Sequence, residues 1–220
     1  MISTYLHNAG VSADPALVAA TLQELELFLT SQPQVSGVWS YKVPELGEGG
    51  ACSLFGHLQD EPFELHTVLE KTPASQQALD TLQTIVAFIE QKTAVDWFGI
   101  YQTRTTDTGA QLAKLAYRGA PSRPLFPLTP AFAATSNNVQ VAMSGKGRVI
   151  NDVASYVAKG GEYYTCDPKV QAEVCLPLFT ESGECIGIID AEAFQQGFFD
   201  EQKLVYFIAA CIKIPQHLPQ

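Results

Sequence analysis

Leucine and valine recur every three or four residues in some stretches of the chain and alternate with polar residues in others. In residues 12–30, Val18, Leu22, Leu25 and Leu29 form one apolar stripe, Ser12 or Asp14 is placed to cap it, and Pro15 suits a first helical turn. The stretch "TPASQQALDTLQTIVAFIEQKT" carries the clearest helical pattern, with Leu79, Leu82, Val86 and Ile89 on one face behind Thr72 and Pro73. "FDEQKLVYFIAACIKI" predicts a further helix, capped by Asp200, with Leu204, Phe207, Ile208 and Cys211 facing inward. Between these helices the period shortens to two. "AVDWFGIYQTR" and "QLAKLAYRG" read as a hairpin across "TTDTGA", and "AEVCLPLFTESGECIGIIDAEAF" as a second, turning at Glu181 to Glu184. "APSRPLFPLTP" is a proline-broken connection. "NNVQVAMSGKGRVINDVA" holds a short strand or helix start, a glycine turn and another strand. "GVWSYKV" suggests a strand and "PELGEGGACS" a loop. Hairpin-linked strands with helices at their flanks predict an α+β fold, an antiparallel central sheet covered by helices.

Composition narrows the classes of function. A chain of 220 residues fits one large domain, or one domain with an extension, and buries a core without disulfides or metal. Twenty-three acids against 13 Lys and Arg leave a net charge of −10 and no basic cluster. That predicts neither a nucleic-acid partner nor an anionic membrane surface. The N-terminus has no basic start and no apolar leader, and "LVYFIAACIKI" is about half a bilayer span and contains a lysine. A soluble, cytoplasmic protein is expected. The five cysteines, Cys52, Cys166, Cys175, Cys185 and Cys211, are odd in number and are thiols in a reducing compartment. No CxxC or HExxH occurs and the four histidines are scattered, so no metal site is expected.

Alternation then sorts the polar groups of the second hairpin. In "AEVCLPL", Val174, Leu176 and Leu178 share one face, which leaves Glu173 and Cys175 on the other. In "IGIIDAEAF", Asp190, Glu192 and Phe194 lie opposite Ile189, Ala191 and Ala193. The hairpin makes these strands neighbours and gathers three carboxylates and a thiol on one face. Two readings stand. An antiparallel sheet often wets one side, and acids there need no role. Yet like charges on adjacent strands repel, and no Lys or Arg is near in sequence, so the cluster must find a cation or raise its pKa values. The ammonium of a ligand with a primary amine is such a cation. Cys166 precedes Asp167-Pro168, which opens a helical turn whose N–H groups favour thiolate; its alternative is an idle thiol. Cys185 and Cys211 read as packing residues, and Cys52 lies in a Gly-rich loop. Trp97 and Tyr101 share a strand face, as core or as the wall of a small-molecule site.

These segments resemble the GAF domain family, and within it the free methionine-(R)-sulfoxide reductase branch. Where that pattern has "NWVGFY", "IACD…SEIVVPL" and "GVLDIDS", this chain has "DWFGIY", "YTCDPKVQAEVCLPL" and "GIIDAEA", with seven residues from cysteine to glutamate in both. "FFDEQ" is similar to the start of the family's last helix. The resemblance covers roughly residues 73–212. It implies a GAF-like domain over residues 71–214 and an N-terminal extension over residues 1–70. It also implies that Cys166 attacks the sulfoxide of free methionine sulfoxide, that Glu173, Asp190 and Glu192 hold the substrate's ammonium, and that Trp97 and Tyr101 form an aromatic wall. Such an enzyme needs no bound cofactor, only an external dithiol reductant such as thioredoxin.

The chain departs from the branch at the resolving thiol. Ala142, in "QVAMSG", stands where that cysteine belongs, and "SRPLFPLTPAF" lacks the further upstream one. Cys175 is the candidate to resolve a sulfenic acid in its place. Two functional classes follow: a thiol-dependent reductase, or a GAF ligand-binding or signalling module that kept the pocket and lost turnover. A third is a dimerisation scaffold, in which the flanking helices form a homodimer contact.

Overall fold

The computed structural model describes residues 1–46, 53–161, 163 and 167–220, with residues 53–55 described by their backbone only. The chain opens with helices α1 (Ile2–Ala9) and α2 (Pro15–Ser31). A small two-layer arm follows. Its inner strands are β1 (Ser40–Tyr41) and β4 (Phe63–Glu64), and its outer strands are β2 (Pro44–Leu46) and β3 (Ser53–Leu58). Helix α3 (Pro73–Thr93) leads into the hairpin β5 (Trp97–Thr106) and β6 (Gly109–Arg118), then the short edge strand β7 (Leu125–Pro127). Helices α4 (Pro130–Ala133) and α5 (Asn137–Ser144), strand β8 (Arg148–Ile150) and helix α6 (Val153–Ala158) form the crossover. The hairpin β9 (Ala172–Phe179) and β10 (Cys185–Ala193) and helix α7 (Glu201–Lys213) complete the chain's regular elements.

The central sheet has six strands in the order β7-β6-β5-β10-β9-β8, every pairing antiparallel. Its helix-covered face packs on α3 and α7, and α2 packs on those two helices in turn. Val174, Leu176 and Leu178 of β9, Ile189 and Ala191 of β10, and Phe98 and Ile100 of β5 meet Leu25, Leu82, Ile85, Phe207 and Ile208 there. Full burial of each such Leu, Ile or Phe contributes roughly 1.5–3 kcal/mol. The three long helices start where their capping residues predict. Asp14 accepts from Ala16 N, Thr72 from Ser75 N, and Asp200 from Lys203 N.

Several local expectations change. Helix α1 is not evident from the pattern, because eight residues carry only two turns of periodicity. It is held by tertiary contacts, with Tyr5 and Ala9 in the main core and the Tyr5 hydroxyl donating to Pro177 O at 3.0 Å. Leu22 and Leu29 of the α2 stripe are only partly buried against that core. "NNVQVAMS" is a helix, capped by Ser136, and not a strand. The expected "GVWSYKV" strand shrinks to two residues at Ser40–Tyr41, and the proline-rich connection contributes edge strand β7. The middle of the expected "PELGEGGACS" loop lies outside the described residues. No helix among the described residues is long and apolar enough to cross a membrane.

Candidate functional site

The uncovered half of the sheet is roofed by α5, which packs on β9 and β10. Between them lies a cavity of about 300 Å³. Cross-strand register places the acids. Glu173 of β9 sits directly opposite Glu192 of β10, and Cys175 directly opposite Asp190. Glu173, Asp190 and Glu192 all line the cavity, and Asp96 and Asp167 stand at its margin. Glu173 and Asp190 are each 5% exposed, Glu192 somewhat more.

The donors that hold these acids come from elements distant in sequence. Ser136 caps α5 so that the next two residues, Asn137 and Asn138, point their amides at the sheet. Asn137 Nδ2 donates to Glu173 Oε1 at 2.9 Å and Asn138 Nδ2 to Asp190 Oδ2 at 2.9 Å. Tyr163 donates its hydroxyl to Glu173 as well. Arg148, which pairs opposite Cys175 on β8, donates to Asn137 Oδ1 at 2.9 Å and to Tyr156 Oη at 3.1 Å. The cluster therefore does reach a cation, one amide away from Glu173. Asp190 Oδ1 and Asn138 Oδ1 have no hydrogen-bond partner among the described residues.

The three carboxyls differ electrostatically. Burial raises all three pKa values. For Glu173 the hydrogen bonds from Tyr163 and Asn137 and the charge of Arg148 pull back downward. Asp190 is pushed well up, by burial first and then by the charge of Glu173, against the amide of Asn138. Glu192 is pushed well up by burial, then by Asp190, Glu173 and Asp167. Glu173 is thus the member whose charged form the surroundings favour most, while burial and the neighbouring carboxylates act against the charged forms of Asp190 and Glu192.

An aromatic wall meets the acids. Trp97 pairs across from Glu192, and Tyr101 from Ile188. Trp97 and Tyr101 rings lie 6.5 Å apart, Tyr101 and Phe126 5.5 Å apart. The indole donates to Ala120 O at 3.0 Å and lies flat across its own strand. This requires glycine at two positions: a Cβ on Gly99 would come within 2.3 Å of the ring, and one on Gly119, at φ 115°, within 2.5 Å.

Of the residues singled out in the sequence, Trp97, Tyr101, Glu173, Asp190 and Glu192 come together around one cavity. Cys175 faces the same side but lies beneath it, fully buried with Trp97, Tyr101 and Ile188. Burial raises its thiol pKa well above the usual value, and Asp190 and Glu173 add to the shift. Cys166 and Cys52 lie outside the described residues. Cys211 is buried in the main core and Cys185 is partly exposed at the start of β10. Asn137, Asn138, Tyr163 and Arg148 were not singled out. The consecutive asparagines were the available signal, as a dense source of amide donors in a chain whose acids needed them. The part of Tyr163 and Arg148 had no signal in the sequence.

A family model for the GAF domain matches residues 77–210. Curated proteins give no match. Among solved structures, the chain is similar to a free methionine-R-sulfoxide reductase from Neisseria meningitidis in complex with its substrate. That likeness is at 18% identity and a TM-score of 0.56, over 94% of this chain and 91% of that one. It is also similar to a type II free methionine-R-sulfoxide reductase from Thermoplasma acidophilum, at 18% identity and a TM-score of 0.56, over 66% of this chain and 94% of that one. A putative GAF sensor protein from Burkholderia vietnamiensis resembles it at 16% identity and a TM-score of 0.55, over 92% of this chain and 88% of that one. At these identities the likeness speaks for the fold alone.

Proposed function

The chain belongs to the GAF domain family, and from that premise we propose that its cavity binds a small molecule bearing a primary ammonium, with free methionine sulfoxide the first candidate. The observation that carries this is the convergence of Glu173, Asp190 and Glu192 on one partly enclosed cavity. A buried group of three carboxylates is destabilised by mutual repulsion and by lost hydration. An ammonium supplies three donors and one positive charge, which answers both. The unpartnered Asp190 Oδ1 and Asn138 Oδ1 are acceptors that such donors would satisfy. The facing wall of Trp97, Tyr101 and Phe126 suits an apolar or thioether side chain.

In the reductase reading, the Cys166 thiolate attacks the sulfoxide sulfur. Attack forms a sulfur–sulfur bond as Asp190 or Glu192 protonates the sulfoxide oxygen. The oxygen then passes to the cysteine sulfur while the sulfur–sulfur bond breaks, so methionine leaves as the thioether, reduced by two electrons, and the cysteine is oxidised to the sulfenic acid. A second thiol condenses with the sulfenic acid, releasing water and forming a disulfide that an external dithiol opens. A binding-only reading is favoured by one observation: Cys175, the candidate second thiol, is fully buried with its ionisation suppressed by burial and by Asp190.

Titration calorimetry with methionine sulfoxide and its N-acetyl derivative tests the binding claim. The free amino acid is expected to bind on the order of 100-fold more tightly, because acetylation leaves buried acids without their cation. Equal affinities would remove the role given to the three acids. Incubation of racemic methionine sulfoxide with dithiothreitol separates the two readings. Loss of one epimer, abolished in Cys166→Ser, supports the reductase; no turnover alongside tight binding supports the binding module.

A further inference from the structure

Among the described residues one buried charge-bearing side chain lies outside the acid cluster. Lys114 of β6 is fully buried. A register shift in the β5–β6 pairing puts it on the cavity side of the sheet: Ile100 opposes Ala116 and Tyr101 opposes Lys114, so Leu115 is the extra residue. Among the described residues no carboxylate forms an ion pair with it. Its Nζ donates instead to Ser122 O at 2.8 Å and to Ser122 Oγ at 2.7 Å. Three rings enclose it: Tyr117, Tyr41 and Trp97, with centroids 4.0, 4.9 and 6.0 Å from Nζ. Burial lowers its pKa well below the usual lysine value. An amine kept in such a place is costly unless its contacts matter.

Those contacts join three parts of the cavity wall. Trp97 and Ser122 line the cavity directly. Tyr41 belongs to the N-terminal arm, and the face of its ring, 4.9 Å from Nζ, is the amine's contact with that arm. The Tyr41 hydroxyl also donates to the main-chain carbonyl of Lys114 at 2.9 Å, a bond that Lys114→Met leaves in place. Three residues beyond Tyr41, the arm turns into the outer pair β2–β3, whose Pro44, Gly56 and Leu58 line the same cavity. We propose that Lys114 is a positioning residue, which seats the N-terminal arm against Trp97 and the Ser122 loop and so sets the apolar boundary of the site and the size of side chain it admits. This rests on the small-molecule reading above only in its ligand arm; the seating itself does not.

The test is Lys114→Met in the full chain, read in two ways. Hydrogen–deuterium exchange of the backbone amides of residues 40–46 is expected to quicken on the order of tenfold, while the melting temperature holds or rises because a buried amine has gone. In a Trp39→Phe background, Trp97 emission is expected to shift, since ring stacking with Tyr117 and contact with Nζ define its surroundings. With methionine sulfoxide and free tryptophan as probes, the affinity ratio favouring the smaller ligand is expected to shrink. Unchanged exchange and unchanged Trp97 emission overturn the proposal, whatever happens to the melting temperature. If wild type binds neither amino acid, the proposed function fails while the exchange arm still decides the seating. Should Lys114→Met not fold, Tyr41→Leu removes the ring that faces Nζ, with Tyr41→Phe as the control that loses only the hydroxyl bond to the Lys114 carbonyl, and Ser122→Ala removes the hydroxyl acceptor of Nζ, leaving Ser122 O. Faster arm exchange in Tyr41→Leu together with altered Trp97 emission in Ser122→Ala supports the proposal, and no change in either overturns it.

Discussion

The two faces of the β9–β10 hairpin are built from the same strands of eight and nine residues and have opposite energetics. On the helix side, Val174, Leu176, Ile189 and Ala191 are fully buried and meet only apolar partners. On the cavity side, one residue over, Glu173, Asp190 and Glu192 line a hollow with Cys175 buried beneath it, and each of the acids carries a carboxyl whose ionisation burial opposes. The first face stabilises the fold. The second is a place where stability is given up, which is common where a site must hold a ligand. The difference teaches that a single register carries both tasks, because side chains alternate across a strand.

The comparison breaks hardest on the helix face. Ile189→Ala should cost about 2–5 kcal/mol by urea unfolding, since a packed core cannot close over the lost methyls. It should leave the carboxyl titrations little changed. A loss under 1 kcal/mol would mean that this face is not the main core.

On the cavity face the sign reverses. Burial, and then Asp190 and Glu173, push the Glu192 carboxyl well above its usual pKa, so the folded protein keeps its proton to a higher pH than the unfolded chain does. Below about pH 4 the unfolded chain holds this proton too, so Glu192→Gln should match wild type there. As pH rises, the unfolded chain loses the proton first and wild type loses stability relative to the variant, until the native group ionises as well. The variant is expected to be more stable by about 1 kcal/mol at pH 8. A gap that is constant from pH 3.5 to pH 8 would show that Glu192 is not under this strain.

The smallest effect concerns the thiols. Cys175 is fully buried and its thiolate is disfavoured, whereas Cys185 is partly exposed. Alkylation of the native protein by iodoacetamide at pH 8, followed by mass spectrometry, should label Cys185 well before Cys175. Early labelling of Cys175 would place it within reach of the cavity and favour it as a second thiol.

Much of this was legible beforehand, for a local reason. Alternation in "AEVCLPL" and "IGIIDAEAF" decides which residues share a face, and a hairpin makes the two strands neighbours without any long-range information. The long helices were legible because their caps and stripes are also local. What escaped was set at a distance. The arm of residues 39–65 has strands of two to six residues, too short for a period to show, and is held by contacts such as Trp39 Nε1 to Gln76 Oε1 and Tyr41 Oη to Lys114 O. The position of Lys114 was hidden in "QLAKLAYRG", where plain alternation sets Leu112, Lys114 and Ala116 together. The bulge instead leaves Ala116 in the helix-side core and Lys114 among the aromatics.

The chain by itself determined the antiparallel α+β architecture, the sorting of β9 and β10 into an apolar and an acidic face, and the net charge that argues against a polyanionic partner. Those follow from period, capping and composition, which act over a few residues at a time. Only the tertiary structure decided that Asn137 and Asn138 reach Glu173 and Asp190, that Arg148 stands one amide behind them, and that the arm from residues 39–65 supplies a wall of the cavity. Such contacts join residues tens of positions apart, and their geometry exists only once the core has closed and burial has made an unpaired polar group costly.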